Sequence, residues 1–215
     1  MSRPGLPRGL YVITEARRIP LADLLDAVGQ ALDGGARTVQ YRDKSGDGTT
    51  RAREATALAA LCRARNAVLI VNDDVALAAA AGAQGVHLGE HDASVAQARA
   101  QLGDAALIGV SCYDSLERAE QAVAAGADYV AFGSFFPSTT KPDARRAQRD
   151  LLVQARTRIA LPIVAIGGIT PTNGAALIEA GAHALAVVSG VFAQRDVRAA
   201  ARSYAVLFDE RSRNA

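Results

Sequence analysis

Tryptophan is absent from the 215 residues, and aromatic side chains make up only 5% of them. A chain so poor in flat rings lacks the platforms on which single-stranded nucleic acids stack. A charge excess of one sign is lacking too. Lys and Arg number 24 against 22 Asp and Glu, a net charge of +2, so neither nucleic acid nor an anionic membrane surface is expected as a partner. Only two cysteines occur, Cys62 and Cys112. A small secreted disulfide scaffold needs more, and the pair reads as two reduced, buried thiols in a cytoplasmic protein. No stretch approaches the ~20 apolar residues of a membrane span. The positive charges of Arg3, Arg8 and the amino terminus are not followed by an apolar segment, because residues 11–14 run straight into Glu15, Arg17 and Arg18. No signal peptide is expected. No His/Cys cluster has zinc spacing, and no Gly-x-Ser-x-Gly nucleophile elbow appears.

What is present is hydrophobic residues, half of the chain, enough to fill a substantial core. They come in short runs at residues 10–14, 38–41, 68–71, 85–88, 107–110, 129–132, 163–166 and 185–188. These runs are rich in Val and Ile and lack clean alternation, the pattern of strands buried on both faces of a parallel sheet. Ala- and Leu-rich stretches with helical spacing lie between them, for example at 21–32, 50–65, 94–102 and 116–124. Strands alternating with helices predict βαβ units. Gly-Ala pairs at 35–36, 82–83, 126–127 and 181–182 recur at intervals of 47, 44 and 55 residues, about two βα units each. Glycine there suits the residue that ends a helix. Eight strands in this length predict a single-domain (β/α)8 TIM barrel in preference to an open doubly wound sheet. The domain is expected to span 1–215, with its core at about 9–208 and with frayed ends, including the polar residues 209–215.

Catalytic groups of this fold lie at the C-terminal ends of the strands. Those ends carry Gln40-Tyr41-Arg42-Asp43-Lys44, then Asn72-Asp73-Asp74, then Gly89-Glu90-His91-Asp92, then Ser111. After the sixth run come Pro137-Ser138-Thr139-Thr140-Lys141-Pro142-Asp143, and after the last two come Gly167-Gly168 and Ser189-Gly190. Asp73 and Asp92 are hard oxygen donors on neighbouring strands. Mg2+ takes one or two such carboxylates and completes its shell with water and phosphate oxygens. Arg42, Lys44 and Lys141 would face the same phosphates. Asp43, Asp74 and Asp143 read first as partners within a solvated rim, and Asp74 as an N-cap. The glycines after the last two strands suit the phosphate site that this fold builds from backbone N–H groups. His87, inside a strand, reads as a structural side chain with a hydrogen-bond partner, and His91 and His183 as solvated.

Taken in order, these residues resemble the thiamine phosphate synthase family, from near the start to about Val191. The match rests on residues 40–44 and 72–74, Gly85-Val86-His87-Leu88-Gly89, Phe132-Gly133 with residues 137–141, and Ile166-Gly167-Gly168-Ile169. Each block is a weak signal, and all of them in order are a specific one. The resemblance implies that a pyrimidine diphosphate is joined to a thiazole phosphate with release of pyrophosphate. It implies that Gln40, Tyr41, Arg42, Asp43, Lys44, Asn72, Ser111 and Lys141 hold the first substrate, with Arg42, Lys44 and Lys141 acting on the leaving group. It further implies that Ser138, Thr139, Thr140, Gly168, Val188 and Ser189 hold the second substrate, and that Asp73 and Asp92 bind one Mg2+. Glu90 stands where the family has Gln, and Ser138 where it has Thr. Two rivals are a thiazole tautomerase, which would not need the Asp73 and Asp92 set, and a non-catalytic sensor of phosphorylated ligands, which could lose Lys141 or Asp73. Small-molecule substrates are the partners expected; a homo-oligomer is left open.

Overall fold

The computed structural model describes residues 5–15, 19–44, 47–137 and 145–212, apart from the side chains of 210–212. The eight apolar runs form eight parallel strands: β1 (Gly9–Ile13), β2 (Ala36–Tyr41), β3 (Val68–Asn72), β4 (Gly85–Leu88), β5 (Leu107–Tyr113), β6 (Tyr129–Gly133), β7 (Ile163–Ile166) and β8 (Ala184–Val187). They pair in chain order, and β1 also pairs with β8, so the sheet closes into a barrel. Between them run α1 (Leu21–Asp33), α2 (Gly48–Ala64), α3 (Val75–Ala81), α4 (Val95–Leu102), α5 (Leu116–Ala124), α6 (Arg149–Arg158) and α7 (Pro171–Ala180). The short α8 (Ser189–Phe192) and the long α9 (Val197–Ser212) complete the outer layer.

Local chemistry sets the helix boundaries. Asp47, Asp74 and Ser115 each accept a first-turn N–H, while Ser94 with Gln97 and Thr170 with Asn173 form capping boxes. The glycines of the four Gly-Ala pairs all have positive φ, from +65° to +120°. Four details differ from the expectations. β5 runs on to Tyr113, three residues past its apolar run, because Ser111 and Tyr113 continue the ladder to β6 across a bulge. The core begins at Leu6, which is buried and accepts a 2.9 Å hydrogen bond from His183 Nε2. His183 is therefore half-buried and not solvated, and burial lowers its pKa. At the other end α9 continues to Ser212, so the polar tail is helical up to that point.

Strand alternation divides the core in two. Leu10, Val12, Val39, Tyr41, Leu185 and Val187 face the helices, whereas Tyr11, Ile13, Ile70, Leu107, Tyr129 and Ala186 fill the barrel. Gly109 makes this interior possible. A Cβ there would collide with the Tyr129 ring. Both cysteines are buried free thiols, and burial pushes each up to about 12. Among the described residues, no helix is long and apolar enough to cross a membrane.

At the N-terminal end of the barrel, Arg99 on α4 pairs with Asp128 at 2.5 Å, both largely buried. The guanidinium also donates to the carbonyls of Gly103, Asp104, Ala106 and Gly126, and Asp128 accepts from Ile108 N–H. Removing one partner of such a pair leaves the other charged and desolvated. Asp128→Ala is expected to destabilise the fold by about 3 kcal/mol in urea denaturation. The remaining folded fraction should keep its kinetic constants, since this end is remote from the strand C-termini.

Candidate functional site

A cavity of about 640 Å3 opens at the C-terminal end of the barrel. Because the strands follow chain order around the ring, the ends of β3 and β4 stand opposite those of β7 and β8. The sequence motifs fall on these two sides.

On the first side, Gln40 points into the barrel and Arg42 lines the mouth. The Arg42 main chain is pinned by its N–H to Thr14 Oγ1 at 2.9 Å. Tyr41, between them, faces the other way. Its hydroxyl donates to Glu54 Oε2 on α2 at 2.7 Å, because successive strand residues alternate faces. The Tyr41 side chain therefore lies outside the cavity lining. Asp43 lies on the Tyr41 side, where its charge adds to burial and Glu54 in raising the phenol, and it does not line the cavity. Asn72 lines the cavity at the end of β3. Asp73 follows with φ +65°, its N–H held by His87 O at 2.8 Å. Lys44 Nζ sits 3.2 Å from Asp73 Oδ2. Asp74 caps α3 and pairs with Arg51 at 3.0 Å, as expected of a structural carboxylate.

Asp92 reaches back to accept Gly89 N–H at 2.6 Å. Desolvation, with the hydrogen-bonded Asp73 carboxyl beside it, raises the Asp92 carboxyl above its usual range, against the opposing pull of Gly89 N–H and Lys44. Two carboxyls in hydrogen-bond contact, with the Lys44 ammonium beside Asp73, form a ligand set that a divalent cation would relieve. Among the described residues no group of three or more His, Cys, Asp or Glu could hold a metal. An ion here would draw its other ligands from water and phosphate, which is the habit of Mg2+. Glu90 adds no net charge to this pair, for Arg118 Nη1 meets it at 3.1 Å and stacks 5.3 Å above Tyr113.

On the opposite side, Gly167, Gly168, Val188, Ser189 and Gly190 line the cavity. Gly167 and Gly168 have φ of +104° and +61°. α8 follows β8 directly, the place where many such barrels carry a short extra helix. Ser111 also lines the cavity, bonded to His87 at 2.8 Å. His87 is buried with partners on both ring nitrogens, in keeping with its reading as a hydrogen-bonded strand residue. Ser138, Thr139, Thr140 and Lys141 lie outside the described residues. Sequence reasoning missed Tyr11, Thr14, Tyr113, Tyr129, Ser134 and Arg145, all of which line the cavity. The only signal for the tyrosines was a hydroxyl at a barrel-facing position; Arg145 is a cation four positions after Lys141 in the sequence.

Residues 10–191 match the family model described as thiamine monophosphate synthase. The chain is 55% identical over 197 residues to a thiamine-phosphate synthase of Nitrosococcus oceani, covering 92% of this chain and 91% of the relative. It is 56% identical over 203 residues to one of Thiobacillus denitrificans, covering 94% and 95%. Among solved structures, a thiamine phosphate pyrophosphorylase from Pyrococcus furiosus superposes with a TM-score of 0.85 at 35% identity, covering 94% of this chain and 96% of that one. On its sequence, its barrel and these likenesses, the chain belongs to the thiamine monophosphate synthase family.

Proposed function

We propose that this chain condenses 4-amino-2-methyl-5-(diphosphooxymethyl)pyrimidine with 4-methyl-5-(2-phosphooxyethyl)thiazole, giving thiamine phosphate and pyrophosphate, with one Mg2+. It is a transferase of an alkyl group. The observation that carries the reading is the two-sided cavity. On one side Arg42 and Asn72 line it, with Asp73, Asp92 and Lys44 next to that lining, for a diphosphate with its ion, and the facing wall offers glycine N–H groups for a second phosphate.

The chemistry follows from those walls. The C–O bond to the diphosphate breaks with both electrons going to the leaving oxygen, which leaves a pyrimidinylmethyl cation. The thiazole nitrogen lone pair then forms the C–N bond, and no proton need move. Mg2+, held by Asp73 and Asp92, would supply positive charge to the departing diphosphate. Arg42, Lys44 and Lys141 stabilise the same growing charge. Gln40, Asn72 and Ser111 orient the pyrimidine, and Gly168, Val188 and Ser189, with Ser138, Thr139 and Thr140, hold the thiazole phosphate. The barrel walls keep water from the cation, and holding the two substrates in line does the rest. The paired carboxylates favour this reading over a tautomerase, which moves a proton and needs no diphosphate site.

Turnover of the two substrates together, with and without a chelator, tests the reading. Thiamine phosphate and pyrophosphate should form in equal amounts and only with the ion present. Proton exchange on a thiazole carboxylate phosphate with no condensation would show the tautomerase instead. The wall assignment has its own test. Gly168→Ala should raise the KM for the thiazole phosphate about tenfold, the order of one hydrogen bond to a charged group. The KM for the pyrimidine diphosphate should change little. The added methyl would also press on the backbone oxygens of Phe136 and Pro137. The ratio of the two KM values is therefore the reading, since a general loosening moves both together.

A further inference from the structure

The mechanism above leaves unused three buried side chains, Tyr11, Tyr129 and His87, that join Gln40 to Ser111 along the cavity lining. Gln40 Nε2 donates to Tyr11 OH at 2.8 Å. Tyr11 OH lies 3.0 Å from Tyr129 OH, Tyr129 OH lies 3.1 Å from His87 Nδ1, and His87 Nε2 lies 2.8 Å from Ser111 Oγ. The five residues come from β2, β1, β6, β4 and β5, so the chain of bonds crosses the barrel interior. All five line the cavity. The Tyr129 ring also stacks on the His87 imidazole, with centroids 5.6 Å apart.

We propose that Tyr11, Tyr129 and His87 are positioning residues, which fix Gln40 as a hydrogen-bond acceptor and Ser111 as a donor toward the pyrimidine substrate. This rests on the proposed function. The polarity propagates from one end. Once Gln40 gives an N–H to Tyr11, the Tyr11 proton goes to Tyr129 and the Tyr129 proton to His87 Nδ1. The imidazole then carries its proton on Nε2 and donates it to Ser111. Ser111 in turn has its own O–H left to give to a ligand, and Gln40 has its carbonyl oxygen left to receive one. An aminopyrimidine presents both halves of that pattern, an amino N–H and a ring nitrogen acceptor. Burial raises the pKa of both phenols, so their hydroxyl protons stay in place over the working range of the enzyme. Low local dielectric makes such a chain cooperative, and breaking any link frees both ends to reorient.

The test combines two readouts. In the ligand-free wild-type protein, 15N NMR of labelled histidine should show His87 neutral, with Nε2 protonated and Nδ1 accepting. In Tyr129→Phe, which removes only the hydroxyl, that signature should become a mixture of tautomers. The KM for the pyrimidine diphosphate should rise about tenfold, the order of one hydrogen bond, with the KM for the thiazole phosphate unchanged. Tyr11→Phe should raise the same KM, and the double variant should be no worse than the worse single one, since the chain is already broken. A His87 protonated on Nδ1 or on both nitrogens in the wild type would overturn the polarity. Equal shifts in both KM values, or additive losses, would reduce the row to a structural role. The NMR result needs no substrate, so it stands or falls apart from the condensation activity itself.

Discussion

Asp73→Asn should lower kcat/KM by about 10²- to 10³-fold, the order of one lost charge-stabilising contact, while the barrel stays folded. The side chain keeps its shape, and asparagine tolerates the φ of +65° at this position. The ion pair to Lys44 disappears, but Lys44 is 60% exposed, and pairs of that kind contribute at most about 1 kcal/mol. On the proposed function, what is lost is one of the two carboxylates that would hold the ion. The Mg2+ concentration for half-maximal rate should therefore rise together with the fall in turnover. A Mg2+ titration of the rate, run beside a melting curve, checks this. A variant with near-normal turnover at low Mg2+ would remove Asp73 from the site.

Arg42→Ala should be the other large loss, about 10³-fold in kcat/KM and mostly in kcat. The leaving diphosphate gains charge as the C–O bond breaks, so a guanidinium aimed at it binds the transition state more strongly than the ground state. Arg42→Lys should recover only part, because a compact ammonium cannot reproduce the planar fork. Steady-state kinetics with each substrate varied gives the split. If Arg42→Ala raised only the KM of the thiazole phosphate, the cation would belong to the other wall. The side chain is half-buried at the cavity mouth, so unfolding free energy should move by no more than about 0.5 kcal/mol.

The contrast between Gln40 and Tyr41 shows what a sequence can reveal about such a site. The block from Gln40 to Lys44 marked a candidate strand end, yet a strand presents alternate residues to opposite faces, and only closure of the barrel decides which face is the cavity. Gln40 faced inward and Tyr41 outward. The eight strands were legible because a parallel sheet buried on both faces leaves short runs of Val and Ile, and the four Gly-Ala pairs marked where helices end. β5 was read short because Ser-Cys-Tyr does not look apolar, although Ser111 and Tyr113 still pair with β6. Tyr11 and Tyr129 looked like core, and by burial they are core. Their hydroxyls meet only across the closed barrel, between residues 118 positions apart, and no local pattern encodes that meeting. Asp73 and Asp92 drew notice in the sequence because Asp73 directly follows β3 and Asp92 lies four residues past β4, where a carboxylate has little packing reason to be.

The two-walled site is tested most directly by a crystal structure of the protein with Mg2+, thiamine phosphate and pyrophosphate. The account predicts pyrophosphate and the ion beside Asp73, Asp92 and Arg42, with the phosphate of thiamine phosphate on the N–H groups of Gly168 and Ser189 across the cavity. Pyrophosphate seated on the glycine wall, or an ion bound without either carboxylate, would contradict it.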